Sequence, residues 1–251
     1  MKKFITEDSF WELFPGASLG VVVAHGMKPA SEVSPESIAE IQALLARANT
    51  LAERYLESPT LSENAPVRVW RQAYQQFKTK RGARCSIENL LKRVLKGNPV
   101  GTISPSVDIY NAMSLKYALP FGGEDIDAFE GDLRLTVTQG GDAFLPLGEG
   151  AENDPTLPGE LAYLDDAGAV CRCWNWRDGV RTALTTTRAT PSSSWSASTP
   201  TASRTAGRRP MSSRSSSRRT SARPLRSRSS SPPITVRSPS RRRRHGAPTG
   251  S

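Results

Sequence analysis

The chain has 251 residues and a formal net charge of +10, a length that suits one large or two small domains. The positive charge belongs to one end, because residues 186–251 hold 15 Arg and 19 Ser but no Lys, Asp or Glu, and residues 1–185 carry a net charge of −5. We therefore expect one folded domain over residues 1–185, and a disordered segment over residues 186–251 that has too few apolar residues to offset chain entropy.

The sequence contains no membrane or metal signature. No stretch approaches the roughly 20 apolar residues of a bilayer span, and the chain turns acidic at Glu7 and Asp8, before a signal peptide's apolar core can form. Cys85, Cys171 and Cys173 are an odd number without metal-ligand spacing, and only two histidines are present. We expect a cytoplasmic protein with no membrane partner, no metal and no cofactor.

Helical signals dominate the first half of the chain, after a β-branched run at residues 19–24 that predicts a buried strand. Ser34 and Pro35 mark a helix start as N-cap and first helical residue, and apolar residues at helical spacing continue to about Glu57. The same periodicity predicts further helices from Pro66, over residues 86–95, and from residues 104–106 to 119.

After Gly123 the hydrophobic period changes to two, which predicts strands at residues 133–137, 143–147, 160–164 and 168–174. The glycine pairs 122–123 and 140–141, and residues 165–168, are predicted turns. Helices followed by strands predict an α+β domain, with helices packed on layered, mainly antiparallel sheet.

Residues 68–96 concentrate positive charge within an otherwise acidic domain, with nine cations and a single acid, Glu88. One interpretation is an RNA-binding surface, since clustered Lys and Arg bind phosphates and orient the nucleic acid. The other is an ordinary solvated helix face. The nine residues are Arg68, Arg71, Lys78, Lys80, Arg81, Arg84, Lys92, Arg93 and Lys96.

A set of polar residues is predicted to meet at the end of the last strand. Alternation places Trp174, Trp176 and Asp178 on one face and Asn175 and Arg177 on the other. A buried Asn175 or Arg177 finds partners if the strand crosses the helix that follows residue 104. This set is either a structural network or a substrate pocket, and its candidate members are Asp108, Asn111, Glu124, Asp125, Asn175 and Arg177.

Three groups of motifs occur in order along the chain. The central group is Val-Asp-Ile-Tyr-Asn-Ala-Met-Ser-Leu at residues 107–115, followed by Leu119-Pro120 and Glu124-Asp125. Upstream lie residues 69–74 and 86–95, and downstream lie residues 131–133, 158–160 and 171–179. Together these motifs resemble the B3/B4 domain of the phenylalanyl-tRNA synthetase β subunit and its free-standing relatives, over about residues 10–185.

The resemblance implies a B3/B4-like fold and an interaction with tRNA or other RNA. In the synthetase, this domain hydrolyses tyrosine wrongly esterified to tRNA, using positioned polar groups and a water. Free-standing members imply clearance of misacylated tRNA in trans by an aminoacyl-tRNA deacylase. The chain lacks an aminoacylation core, so ligase activity itself is not expected. The alternative is a noncatalytic RNA- or protein-binding module. Residues 174–179 depart from the glycine-rich segment expected there, which leaves the catalytic residues unassigned.

The composition of residues 186–251 suggests that they are read in the wrong frame. The relatives continue past the Trp-Asn-Trp segment with an acidic turn and an apolar strand, whereas this chain becomes rich in Thr, Ser and Arg. One nucleotide string can encode residues 186–200 and, read one base earlier, DDTRNAFLIVECVDP, which fits the expected strand. The alternative is a genuine arginine- and serine-rich RNA-binding tail, with four consecutive arginines at residues 241–244.

Overall fold

A computed structural model of the chain describes residues 2–148, 151–184 and 194–198. All of them belong to one compact unit, Met1–Ser203. The α-helices are α1 (Asp8–Leu13), α2 (Pro35–Ala52), α3 (Ala65–Ala73), α4 (Ser86–Leu95) and α5 (Pro105–Tyr117). The strands are β1 (Phe4–Thr6), β2 (Gly20–Ala24), β3 (Phe121–Asp125), β4 (Leu133–Val137), β5 (Leu161–Asp165), β6 (Gly168–Arg172), β7 (Arg177–Asp178) and β8 (Ser194–Ser198).

The strands of the described residues form two sheets. The larger sheet has the order β1-β4-β5-β6-β7, and all of its neighbours are antiparallel except β1 and β4. The smaller sheet has the order β2-β8-β3 and is antiparallel throughout. The predicted α+β fold with mainly antiparallel sheet is confirmed.

The main core is centred on one aromatic side chain, Trp174, which is 1% exposed. The rings of Phe10, Phe14 and Trp70 pack against it with centroid distances of 5.5, 4.7 and 5.1 Å. Edge and tilted ring contacts of this kind add to the stabilisation that burial itself provides. The aromatic cluster therefore fixes the end of β6 against α1 and α3.

The predicted strand at residues 143–147 is absent, and an irregular segment lies there. The amide of Phe144 donates a hydrogen bond to Asn153 Oδ1 at 2.8 Å, and Pro146 has no amide hydrogen that could pair with a neighbouring strand. The segment covers the outer face of the sheet, where Phe144 packs with Ala162, Leu164 and Ala169. Hydrophobic alternation is present here, but the backbone donors have other partners.

The predicted strand at residues 168–174 ends early. β6 stops at Arg172, because Cys173 and Trp174 adopt φ values of +46° and +67°, in the left-handed region. The chain reverses there and returns as β7, antiparallel to β6. The predicted assignment of residues 174–178 to alternating faces is therefore wrong, since it assumed one straight strand.

Gly122 and Gly123 were predicted to form a turn, and they lie instead within β3. A Cβ atom on Gly123 would come within 2.8 Å of Leu184 Cδ1 and 3.4 Å of Tyr110 Cδ1. Position 123 therefore needs a glycine, because helix α5 and residue 184 approach the strand closely there, whereas Gly122 has open space beside it. The other predicted pair, Gly140 and Gly141, does lie in a loop, with φ values of +86° and +87°.

The segment predicted to be disordered contains a strand, β8. It lies in the centre of the smaller sheet, where Ser196 is in register with Val22 on one side and Gly123 on the other. The structure differs from the prediction at Ser194–Ser198 because two neighbouring strands offer backbone partners that the composition of this segment does not reveal. The rest of the predicted disordered segment lies outside the described residues.

Candidate functional site

A cavity of about 320 Å³ lies between helices α4 and α5, strand β3 and the β6–β7 turn. Most of its wall is apolar or aromatic, including Phe121, Val107 and Trp176. A few polar groups converge in it, from Tyr110, Asn111 and other residues described below. An apolar cavity with a small number of placed polar groups is typical of a small-ligand site.

Two carboxyl groups in the cavity wall, those of Glu124 and Asp178, lie within hydrogen-bonding reach of each other. Burial raises the pKa of Glu124 well above its ordinary value, and the neighbouring Asp178 raises it further. Burial also raises the pKa of Asp178. Both residues are half-buried, and two neighbouring carboxyl groups in a largely apolar wall do not ionise together readily, which favours one shared proton.

The β6–β7 turn brings polar groups of Trp174 and Asn175 to the same cavity. The Oδ1 atom of Asn175 accepts a hydrogen bond from the Tyr74 hydroxyl at 2.8 Å, and its main-chain oxygen accepts one from Ser86 at 3.0 Å. Its Nδ2 atom and Trp174 Nε1 are buried without an acceptor among the described residues. Unsatisfied buried donors cost free energy, and a ligand acceptor would satisfy them.

Three of the six predicted pocket residues, Asn111, Glu124 and Asn175, line this cavity together. The other three lie outside its wall. Asp108 accepts the amide of Ile103 at 2.8 Å, Asp125 accepts that of Asp127 at 3.0 Å, and Arg177 is exposed with its guanidinium 5.3 Å from the Trp176 ring centre. Asp108 and Asp125 thus support the local backbone.

Sequence reasoning missed Asp178, Tyr110 and Cys171 as cavity residues. Asp178 was assigned to the opposite face from Asn175, which the reversal after Arg172 invalidates. Burial raises the pKa of Tyr110 and that of the Cys171 thiol, so both side chains are neutral. The motif around Tyr110 was visible in the sequence, but the partner strand was not.

The structure divides the nine predicted RNA-binding cations into two groups. Arg71 donates hydrogen bonds to the buried Glu88, with Nη2 to Oε1 at 2.7 Å, and Arg84 lies 3.8 Å from the same carboxylate. Lys80 pairs with Asp154, and Arg93 donates to the main-chain oxygen of Pro99 at 3.1 Å. The exposed side chains with no partner among the described residues are those of Arg68, Lys78, Arg81, Lys92 and Lys96.

The basic loop, which we define as residues 78–84, is fastened beside the cavity. The amide of Lys78 donates to Gly159 at 2.9 Å, and Asp154 joins Lys80 to Arg172, whose Nη1 lies 3.0 Å from the carboxylate. Arg172 and Glu160 form a fully buried ion pair at 2.6 Å. The loop and the β6–β7 turn are therefore held by one ionic network.

Within the described residues, no group of three His, Cys, Asp or Glu side chains is arranged to hold a metal ion. The same part of the chain has no helix that is both long and apolar enough to cross a membrane.

The structure defines an α+β domain with a partly open, largely apolar cavity beside a basic loop. The family model of the B3/4 domain matches residues 69–223, and the chain belongs to this family. The match begins within α3 and includes α4, α5 and every described strand from β3 onward. A search of curated proteins finds no match to the chain.

Proposed function

We propose that this chain binds the acceptor end of a tRNA and hydrolyses a wrongly attached aminoacyl ester in its cavity, in trans. The B3/4 domain is associated with tRNA binding and editing in the phenylalanyl-tRNA synthetase β subunit. The observation that carries the proposal is the junction of the basic loop and the cavity. Ser86 lines the cavity, follows the loop by two residues, and bonds to Asn175.

Each part of this junction has a chemical role in the proposal. Lys78 and Arg81 have exposed cations, suited to backbone phosphates near the terminal ester. Asn111 and Asn175 supply neutral amide donors for an ester carbonyl, and such donors stabilise the oxyanion that forms when water attacks. The apolar wall excludes bulk water and accepts the amino-acid side chain.

Deacylation assays test this proposal. The full chain is mixed with tRNAs that carry mismatched amino acids, and release of the amino acid is compared with the buffer rate. We expect hydrolysis of at least one misacylated tRNA above that rate. Measurable tRNA binding with no hydrolysis of any of them would instead support the noncatalytic module.

Matched variants separate binding by the basic loop from attraction to the tail. In Lys78→Gln/Arg81→Gln, we expect the binding constant to depend less steeply on salt. The negative slope of log K against log salt should shrink in magnitude by about 0.9 for each phosphate that the protein no longer neutralises. Changing Arg241–Arg244 to Gln serves as the control, because it removes charge far along the sequence. Both variants should bind RNA less tightly, but only the loop variant should slow hydrolysis. Equal rates for the loop variant and the unchanged chain would reject this interface.

The composition of β8 supports a second proposal, that residues from Thr186 onward are read out of frame. A central strand has neighbours on both sides, yet β8 reads Ser-Trp-Ser-Ala-Ser, and Ser and Ala fit strands less well than β-branched residues do. In the earlier reading, the same five positions become Ile-Val-Glu-Cys-Val. The family match continues past Thr185 to residue 223, which favours the reading frame that gives the present sequence. The gene's nucleotide sequence decides, since an early stop codon in the earlier frame would reject the frame error.

A further inference from the structure

The cavity has unmatched hydrogen-bonding groups of two opposite kinds. Trp174 Nε1 and Asn175 Nδ2 are donors without acceptors, and Glu124 Oε2 and the nearby Thr182 Oγ1 are buried without a hydrogen-bond partner, among the described residues. None of those residues places a Lys or Arg within ion-pair distance of Glu124 or Asp178. The nearby Arg181 directs both Nη atoms to Asp165, at 2.6 and 2.8 Å. Within this part of the chain, the carboxyl pair therefore lacks a cation in direct contact.

The complementary ligand carries a cation or strong donor at one point and a carbonyl oxygen close by. An α-amino acid ester has both, because its ammonium group and carbonyl carbon are attached to the same atom. Its side chain then lies against the apolar wall formed by residues such as Phe121 and Trp176. No additional group on the ligand is needed to match the polar atoms of the cavity.

We propose that Glu124 and Asp178 bind the free α-ammonium group of the aminoacyl ester, so that the site selects aminoacyl groups whose amine is unblocked. This inference rests on the proposed function and names the substrate feature that the site recognises. An ammonium ion beside two carboxyl groups makes charge-assisted hydrogen bonds, which are stronger than neutral ones. Asn175 then faces the ester carbonyl.

The carboxyl pair also links binding to pH. A bound ammonium favours the ionised pair, so it releases the shared proton, and affinity should rise as pH increases toward the pKa of the ammonium group. Other titratable groups around the pair do not reproduce this behaviour. Burial raises the pKa of Tyr110, Tyr163 and Cys171, which keeps them neutral, and β8 has no titratable residue. Among the described residues, Arg181 lies near Glu124 and Asp108 lies near Tyr110.

Hydrolysis of paired substrates tests the inference. The full chain is given one tRNA charged with a mismatched amino acid, either with a free amine or with an N-acetylated amine. We expect the protein to accelerate the free-amine substrate, relative to that substrate's own rate in buffer, at least about tenfold more than the acetylated one, because a hydrogen bond to a charged group contributes roughly 1.5–3 kcal/mol. Glu124→Gln/Asp178→Asn keeps the shape but removes both carboxyl groups, and it should abolish most of this preference. The control Glu130→Gln removes an exposed carboxylate from the following loop and should keep it.

The outcomes distinguish this inference from the proposed function. Equal acceleration of the two substrates over their buffer rates would overturn the inference and leave the proposed function standing. If neither substrate is hydrolysed, the proposed function fails, and calorimetric binding of L-phenylalaninamide, L-leucinamide and their N-acetyl forms decides the inference. The inference is supported if the free amines bind more tightly and the binding enthalpy varies between buffers, which shows that protons are released. Equal binding of the two forms, or no binding, overturns the inference. Glu124→Gln and Asp178→Asn, each expected to reduce the preference, are used singly if the double variant does not fold.

Discussion

The strongest prediction about stability concerns the buried ion pair behind the β6–β7 turn. Arg172 and Glu160 are both fully buried, and Arg172 donates to Glu160 from Nε at 2.9 Å and from Nη2 at 2.6 Å. In Arg172→Met, Glu160 keeps the amides of Leu157 and Cys173, at 3.0 and 2.9 Å, and the thiol of Cys173 at 3.4 Å. Breaking a buried pair in this way leaves an uncompensated charge, and we expect a loss of about 3–5 kcal/mol.

The pH dependence of this loss follows from the pKa of Glu160. Burial alone would raise that pKa, but the bonds from Arg172, Leu157 and Cys173 outweigh burial and lower it below its ordinary value. A lowered pKa contributes stability at pH values above the unfolded-state pKa, about 4.3, and the contribution is lost as pH falls through the folded-state pKa. The difference between wild type and Arg172→Met should therefore shrink in acid.

Urea unfolding followed by tryptophan fluorescence measures this difference at pH 7 and in acid. Arg134→Met is the control, because Arg134 pairs with the exposed Asp166 at 2.9 Å, and an exposed pair contributes about 0–1 kcal/mol. Arg172→Met/Glu160→Met should recover part of the loss, since both charges are then gone. A loss below about 1 kcal/mol for Arg172→Met at pH 7 would refute the reasoning, because a buried charge left alone costs more than that.

Three further predictions concern the cavity, a hairpin and β8. Because burial raises the pKa of Glu124, the native state loses stability as pH rises from about 4 through that pKa. Glu124→Gln lacks this loss, so its free energy of unfolding in urea titrations, relative to that of wild type, should increase with pH. Gly168→Ala should lower the melting temperature, because φ is +134° there and a Cβ would strike the Ala143 carbonyl, whereas Gly101→Ala, with open space, should not. Restoring the earlier frame from Thr186 should raise the free energy of unfolding by about 1 kcal/mol or more; no increase would contradict the account of β8.

Local signals in the sequence predicted most of the helices. Ser34 does cap α2, through a hydrogen bond from the amide of Ser37 at 3.2 Å, and α2, α4 and α5 form where helices were predicted, although the buried face of α5 includes Asp108 and Asn111. Short elements such as α1 and β1 were missed, because six and three residues hold too little periodic pattern to identify. Their positions depend on distant partners, as in the pairing of β1 with β4.

The candidate site was predicted only in part, for a similar reason. Motif and composition identified Asn111, Glu124 and Asn175, but alternation placed Asp178 on the wrong face. The two consecutive left-handed residues at the β6–β7 turn, Cys173 and Trp174, are not glycines, so nothing in the sequence marks the reversal. Burial of Trp174 in the aromatic core stabilises this backbone, and that contact is visible only in three dimensions.

Filling the cavity tests the central claim most directly. Gly122 lines the cavity, and a Cβ atom added to it would have no other atom within 4 Å; the same is true of Gly101, which lies outside the cavity. Single-turnover deacylation and tRNA binding are measured for Gly122→Trp and for the control Gly101→Trp. We predict that Gly122→Trp binds tRNA as tightly as wild type but hydrolyses the ester at least about tenfold more slowly, the factor that a loss of about 1.4 kcal/mol in transition-state stabilisation gives. Hydrolysis by Gly122→Trp at the rate of Gly101→Trp would contradict the claim that this cavity is where the ester is cleaved.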